Sequence, residues 1–137
     1  MNDWQAVAVL QVSGPTVEPE ALLKSFAVPG ASFWRKGDKR PRRGVYDHGG
    51  FKATIVDADS QAALHRGLDR HLKDCAGLYS ELARHGERGF LDIGLMVPAS
   101  HPLSLTFEPE LLQALIDAGI VVTLTAYPCS EETAAQQ

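Results

Sequence analysis

The sequence is poor in cysteine and has no long apolar run. Only Cys75 and Cys129 are present, far apart and without metal-ligand spacing, which predicts free thiols, no disulfide and no metal site. No apolar stretch approaches the length that spans a membrane, so we expect no membrane partner. The first residues lack the basic start and the small-residue cleavage site of a signal peptide, so we expect a cytoplasmic protein.

Recognisable catalytic motifs are also absent. The sequence has no glycine-rich phosphate loop, dinucleotide fingerprint, zinc motif or nucleophile elbow. His65 and Asp69 are four residues apart on a predicted helix, but no third ligand lies at a supporting spacing, which favours a solvated surface. His48 and His101 lie in predicted loops and form a pair only if the fold brings those loops together. These absences predict no cofactor and favour a protein that is not an enzyme.

The hydrophobic pattern predicts a single domain over residues 1–137, with a frayed polar tail over residues 129–137. Alternating apolar residues predict strands, and apolar residues three and four apart predict helices. The predicted strands cover residues 4–12, 32–35, one or two segments within 44–56, 90–97 and 120–127. The predicted helices cover residues 19–26, 60–85 and 108–117.

This order of elements predicts an α+β fold, a two-layer α/β sandwich with helices on one face of a mixed sheet. The side of the predicted long helix that faces the core is an apolar stripe at helical spacings, formed by Leu64, Leu68, Leu72, Cys75, Leu78, Tyr79 and Leu82. Residues 106–112 repeat the Glu-Pro-Glu start of residues 16–23, each after a strand and at the beginning of a helix. This repeat suggests two strand-helix-strand halves related by pseudo-symmetry.

Positive charge is concentrated in one place. The chain has a formal net charge of −4, yet six of its thirteen basic residues lie within residues 35–43. The rest of the chain then has seven basic residues (13 minus 6) and sixteen acidic ones (17 minus Asp38). A local positive patch on a negative body suggests an anionic partner. We call residues 34–43 the basic segment, and its candidate binding residues are Trp34, Arg35, Lys36, Asp38, Lys39, Arg40, Arg42 and Arg43.

The basic segment has two interpretations of similar weight. As a site, its arginines would hold phosphate or carboxylate groups, and Trp34 would stack on a base or a guanidinium. As structure, the segment would be a solvated loop that keeps a sheet edge soluble, with Trp34 buried as an anchor. The sequence leaves both open.

The chain also resembles a known family. The residues that carry the resemblance are Val12-Ser13-Gly14, Glu18-Pro19-Glu20 and Trp34-Arg35-Lys36-Gly37-Asp38, followed by a long amphipathic helix and a last strand that ends at Tyr127. In this order they are similar to the bacterial "domain of unknown function 4279" family, from about residue 6 to residue 127. Phe33 departs from the pattern, which more usually has serine or threonine there. The resemblance implies an intracellular bacterial protein of small α/β fold without established catalytic residues, and some relatives look like immunity-type proteins that bind a toxin.

Three functions follow as hypotheses. The first is a non-enzymatic binding module, of immunity type, whose basic segment contacts an acidic partner. The second is nucleic-acid or nucleotide binding through the same segment, and the third is a small enzyme with a pocket beside residues 98–105. The strand sides that face away from the helices mix polar and apolar residues, which also predicts a homodimer or a partner surface.

Overall fold

The computed structural model describes residues 4–129. Its elements in chain order are β1 (Gln5–Ser13), α1 (Pro19–Ser25), β2 (Ser32–Trp34), β3 (Gly50–Ala58), α2 (Gln61–Asp74), α3 (Ala76–Arg84), β4 (Phe90–Pro98), α4 (Pro109–Asp117) and β5 (Val121–Cys129). The strands form one sheet in the order β2-β3-β1-β4-β5. Neighbouring strands are antiparallel except β4 and β5, which are parallel. This mixed sheet with helices confirms the predicted α+β class.

Burial in the central strands falls on alternate residues, as the hydrophobic pattern predicts. The fully buried residues of β1 are Ala6, Ala8, Leu10 and Val12. Val7 and Val9, between them, are partly exposed. Helix α2 lies against β3, so the core is formed between the helices and one side of the strands. The two-layer sandwich stays a prediction, and this alternation supports it.

Residues 60–85 form two helices, so the prediction of one long helix is wrong. Helix α2 ends at Asp74 and α3 begins at Ala76, because Cys75 leaves the helical conformation, with φ of −110° and ψ of 20°. Gly77 follows the break and lies against Phe26, whose ring would be 2.8 Å from a Cβ at that position. Glycine weakens a helix by about 1 kcal/mol relative to alanine, and here it leaves the room that the Phe26 ring occupies.

The start of this region and its predicted apolar stripe are clear in the structure. The Ser60 hydroxyl accepts a hydrogen bond from the Ala63 N–H at 3.1 Å, which makes Ser60 the N-cap of α2. Every residue of the predicted apolar stripe, from Leu64 to Leu82, is buried. The core stripe therefore continues across the break from α2 into α3.

The two halves suggested by the repeated Glu-Pro-Glu segment are not equivalent in the sheet. Helices α1 and α4 both have proline in their first turn. Strands β4 and β5 on either side of α4 are neighbours, whereas β3 separates the strands on either side of α1.

The predicted tail begins at Cys129, the last residue of β5, and its residues 130–137 lie outside the described residues. Among residues 4–129, no helix combines the length and the apolar character needed to cross a membrane.

Candidate functional site

The basic segment folds back on the residues that follow it. The Gly37 N–H donates to the Tyr46 carbonyl and the Tyr46 N–H donates to the Asp38 carbonyl, both at 2.9 Å. Closer to the tip, the Arg40 N–H donates to the Gly44 carbonyl at 3.0 Å. We call residues 35–46 the basic hairpin. Backbone hydrogen bonds therefore connect its two arms along their length.

Two glycines allow the hairpin to turn. Gly37 and Gly44 have φ of 91° and 80°, values that other residues adopt only with strain. Gly37 is in a turn in which the Asp38 N–H donates to the Arg35 carbonyl, while the Arg35 N–H donates to Asp38 Oδ2 at 2.8 Å. The Asp38 carboxylate is therefore a structural part of the turn, although the sequence marked it as a binding residue.

Trp34 anchors the base of the hairpin to the sheet. Its ring stacks on Tyr46 with centroids 4.6 Å apart and planes inclined by 17°, and its Nε1–H donates to the His48 carbonyl at 3.1 Å. A Cβ on Gly50 would lie 2.6 Å from Cζ2 of Trp34, so the indole closes directly over that glycine. Arg40 lies over the Tyr46 ring at 5.5 Å. These contacts favour the anchor interpretation of Trp34.

One of the six cations forms an ion pair within residues 4–129, and the other five do not. Arg35 forms an ion pair with Glu20 of α1 and lies over the Phe33 ring at 5.6 Å. The remaining cations are exposed, and no carboxylate of residues 4–129 comes within 4.0 Å of any of them. They are Lys36, Lys39, Arg40, Arg42 and Arg43. Their charge is therefore available to a partner.

A cleft of about 470 Å³ lies between α1 and the base of the hairpin. Its charged lining mixes Arg35 and Lys36 with Glu18 and Glu20, and His48 is also part of the wall. Opposite charges in one wall reduce the local potential that an anion would experience. The net positive surface is therefore the outer part of the hairpin rather than this cleft.

The enzyme hypothesis placed a pocket beside residues 98–105. Those residues line none of the four clefts described for residues 4–129. Another cleft, of about 410 Å³ between α1 and α3, contains Glu81 and His85. His85 Nε2 is 3.1 Å from Glu81 Oε1, and this hydrogen bond lowers the pKa of the Glu81 carboxyl. A carboxylate whose ionised form is stabilised is a poor proton donor at neutral pH.

His65 and Asp69 have separate partners. His65 Nε2 is 2.7 Å from the Thr106 carbonyl oxygen, whereas the Asp69 carboxylate pairs with Lys73 at 2.9 Å. Within the described part of the chain, no group of three His, Cys, Asp or Glu side chains is placed to hold a metal ion. His65 fixes the segment before α4 to the start of α2, which is a structural role.

A cluster that the sequence did not single out is centred on His71. Its Nε2 is 2.6 Å from the Tyr79 hydroxyl, and its Nδ1 is 3.7 Å from the Cys75 sulfur. Burial lowers the pKa of His71 and raises the pKa of both Cys75 and Tyr79. These shifts keep all three groups neutral, so Cys75 is not an activated thiolate. Their spacing of four residues, from His71 to Cys75 to Tyr79, places them on one side of a helix and was a signal that the sequence offered.

Comparisons of the chain with protein-family models, with curated proteins and with solved structures gave no match. The resemblance to the "domain of unknown function 4279" family therefore stays a prediction that rests on the residues quoted for it.

Proposed function

We propose that this protein is a non-enzymatic binding module whose basic hairpin contacts an acidic partner. The observation that carries the proposal is the presentation of five exposed cations on a hairpin that is fixed at its base. Hydrogen bonds from Gly37, Arg40 and Tyr46 connect its arms, and Trp34 holds it on the sheet. Because the backbone is already ordered, binding costs less conformational entropy than it would for a flexible basic loop.

The charge distribution supports an acidic protein as the partner. The cations of the hairpin extend from a body that has an excess of acidic residues, so the field changes sign across the surface. Such a field steers a partner with a local acidic patch towards the hairpin and orients it, because the rest of the body repels negative charge.

The nucleic-acid hypothesis has less support from the geometry. Sequence-tolerant binding to single strands uses an aromatic ring on which bases stack. Trp34 stacks on Tyr46 and its edge covers Gly50, while Arg40 lies over Tyr46. Arginine side chains also bind phosphate groups, so the experiment below includes an oligonucleotide.

The finer parts of the proposal rest on the family resemblance. An intracellular bacterial immunity-type protein, which neutralises a toxin by binding it, would use an acidic surface of that toxin as the target of the hairpin. Testing this part of the proposal requires identifying the toxin. Binding of the hairpin to an acidic polymer can be measured without it.

The test compares two triple charge reversals that change the net charge equally. Changing Arg40, Arg42 and Arg43 to Glu takes the formal charge from −4 to −10 (three changes of −2), and changing Arg66, Arg70 and Arg88 to Glu makes the same change in charge outside the hairpin and α1. Labelled poly-glutamate is titrated with each protein, and an oligothymidylate of similar length is titrated in parallel. We expect wild type and the control variant to bind poly-glutamate, and the hairpin variant to lose at least about tenfold in affinity.

Equal loss in both variants would mean that only net charge matters, and no loss in the hairpin variant would remove the hairpin from the site. Tighter binding of the oligonucleotide, with a steep salt dependence, would favour the nucleic-acid hypothesis instead.

A further inference from the structure

Strand β5 is a long, uncharged strand at one edge of the sheet. Among residues 4–129 it pairs with β4 on one side only, and its nine residues, Val-Val-Thr-Leu-Thr-Ala-Tyr-Pro-Cys, contain no charged side chain. The opposite edge, β2, has three residues and is followed directly by the basic hairpin. Short or charged edge strands prevent pairing with other chains, whereas a long uncharged edge presents free N–H and C=O groups to a further strand. The β2 edge is therefore protected by its short length and by the neighbouring charges. The β5 edge has only Pro128, near its end, to hinder pairing with another strand.

The helix-side residues of β5 are incompletely covered. Val122 and Leu124 are paired with Leu91 and Ile93 of β4, so all four lie on the same face of the sheet. Leu91 and Ile93 are buried, but Val122 is 37% exposed and Leu124 is 51% exposed. The helix layer therefore ends above β4 and leaves the last strand open.

The side of α4 that is turned away from α2 is also apolar. Leu111 and Leu115 of α4 are buried in the core, and Ala114 shares a cleft with Asp69 of α2. At about 100° per residue, Leu112 and Ile116 then lie on the side of the helix turned away from α2. They are 44% and 68% exposed.

We propose that β5 and the outer side of α4 form an interface with a second copy of this chain. In this dimer, β5 pairs antiparallel with its counterpart across a two-fold axis perpendicular to the sheet, which joins two five-stranded sheets into one of ten strands. Such an axis keeps the same face of each sheet on the same side. Pairing over the whole strand centres the axis on Thr125, so Leu124 lies opposite the partner's Ala126 and diagonally across from the partner's Leu124. A second copy fits this edge because an uncharged strand is complementary to itself in both hydrogen bonding and charge.

The size of this surface predicts a reversible dimer. A strand of nine residues is about 30 Å long and a sheet with its side chains is about 10 Å thick, so the edge covers roughly 300 Å². The exposed side of α4, nine residues or about 13 Å long, adds roughly 130 Å². The two copies together then bury about 900 Å², below the roughly 1,200 Å² at which stable specific interfaces begin and in the range of weak, transient ones, so we expect a dissociation constant in the micromolar range or weaker.

The test is sedimentation equilibrium of the full chain from about 1 µM to about 1 mM, a range that brackets such affinities. Wild type is compared with Ile116→Lys and Leu124→Lys, which place a charge at exposed positions of the proposed interface. The matched control is Thr54→Lys, an exposed position on β3 in the interior of the sheet. Circular dichroism melts confirm that each variant is folded.

We expect wild type and the control to dimerise with rising concentration. Both interface variants should weaken the dimer by at least about tenfold, because a symmetric interface brings the two new charges together. A wild type that stays monomeric throughout the range would overturn the proposal. So would a dimer that both interface variants leave intact, or one that only Thr54→Lys dissociates, since the open face of the sheet would then be the interface.

Discussion

Replacing Trp34 tests whether the hairpin is fixed by the contacts at its base. Trp34→Ala removes the stack on Tyr46, worth about 1 kcal/mol, and the hydrogen bond to the His48 carbonyl, worth about 1 kcal/mol. It also removes the burial of a half-covered indole, roughly 80 Å² of apolar surface or about 2 kcal/mol. The total loss is about 4 kcal/mol.

This loss acts mainly on the hairpin and the adjacent edge strand β2. Trp34 is at the end of a strand of three residues, so local opening of this region does not require the core to unfold. Amide hydrogen exchange at Gly37, Arg40 and Tyr46 reports on that opening, because their N–H groups form the hydrogen bonds of the hairpin. We expect exchange to accelerate by about two to three orders of magnitude, with a smaller decrease in melting temperature.

Trp34→Phe is the matched control. It keeps an aromatic ring on Tyr46 and loses the indole N–H, so exchange at the same amides should accelerate only about fivefold. Our reasoning would be refuted if Trp34→Ala left exchange and melting unchanged. Lost affinity for an anion in such a variant would identify Trp34 as a contact residue rather than an anchor.

Two further predictions concern the core and the His71 cluster. Leu68 is 1% exposed, so Leu68→Ala should decrease the free energy of unfolding by roughly 2 to 5 kcal/mol. Ile116 is on the surface, so Ile116→Ala should change the free energy of unfolding by less than about 0.5 kcal/mol. Thermal and urea melts measure both variants, and equal losses would mean that we have assigned the wrong face of the helix to the core. Burial lowers the pKa of His71 below 6.5, an effect that nearby Asp74 partly opposes, so the unfolded chain binds the proton more tightly. The free energy of unfolding should therefore fall as the pH decreases through about 6.5. Melts at a series of pH values should show a shallower fall for His71→Gln than for wild type. Identical pH profiles would show that His71 is not the cause.

The sequence predicted most of the fold because its hydrophobic periods are clear. Alternation in β1 and the stripe from Leu64 to Leu82 depend on local spacing, and the structure agrees with both. The break at Cys75 was not predicted, because the apolar stripe continues through it at helical spacings and gives no local signal of an end. Strand pairing with distant residues is likewise absent from any local pattern.

The sequence predicted where in the chain the candidate site lies, but not how its side chains are arranged. The cluster of cations is visible in composition, so the sequence singled out these charges as a group, and the structure shows that they are exposed. It also included Asp38 and Arg35, which the structure places in a turn and in an ion pair with Glu20. Their roles depend on a turn at Gly37 and on the position of α1, which are tertiary features.

The central claim, that the basic hairpin is the surface that binds an acidic partner, is tested most directly by mapping contacts residue by residue. Unlabelled poly-glutamate is titrated into the ¹⁵N-labelled protein, and the backbone amide resonances are followed by nuclear magnetic resonance. We expect the largest shifts at residues 36–44, all with one saturation curve, and little change in β5 or α4. Shifts that concentrate on another surface, or an unchanged hairpin at saturating poly-glutamate, would contradict the account.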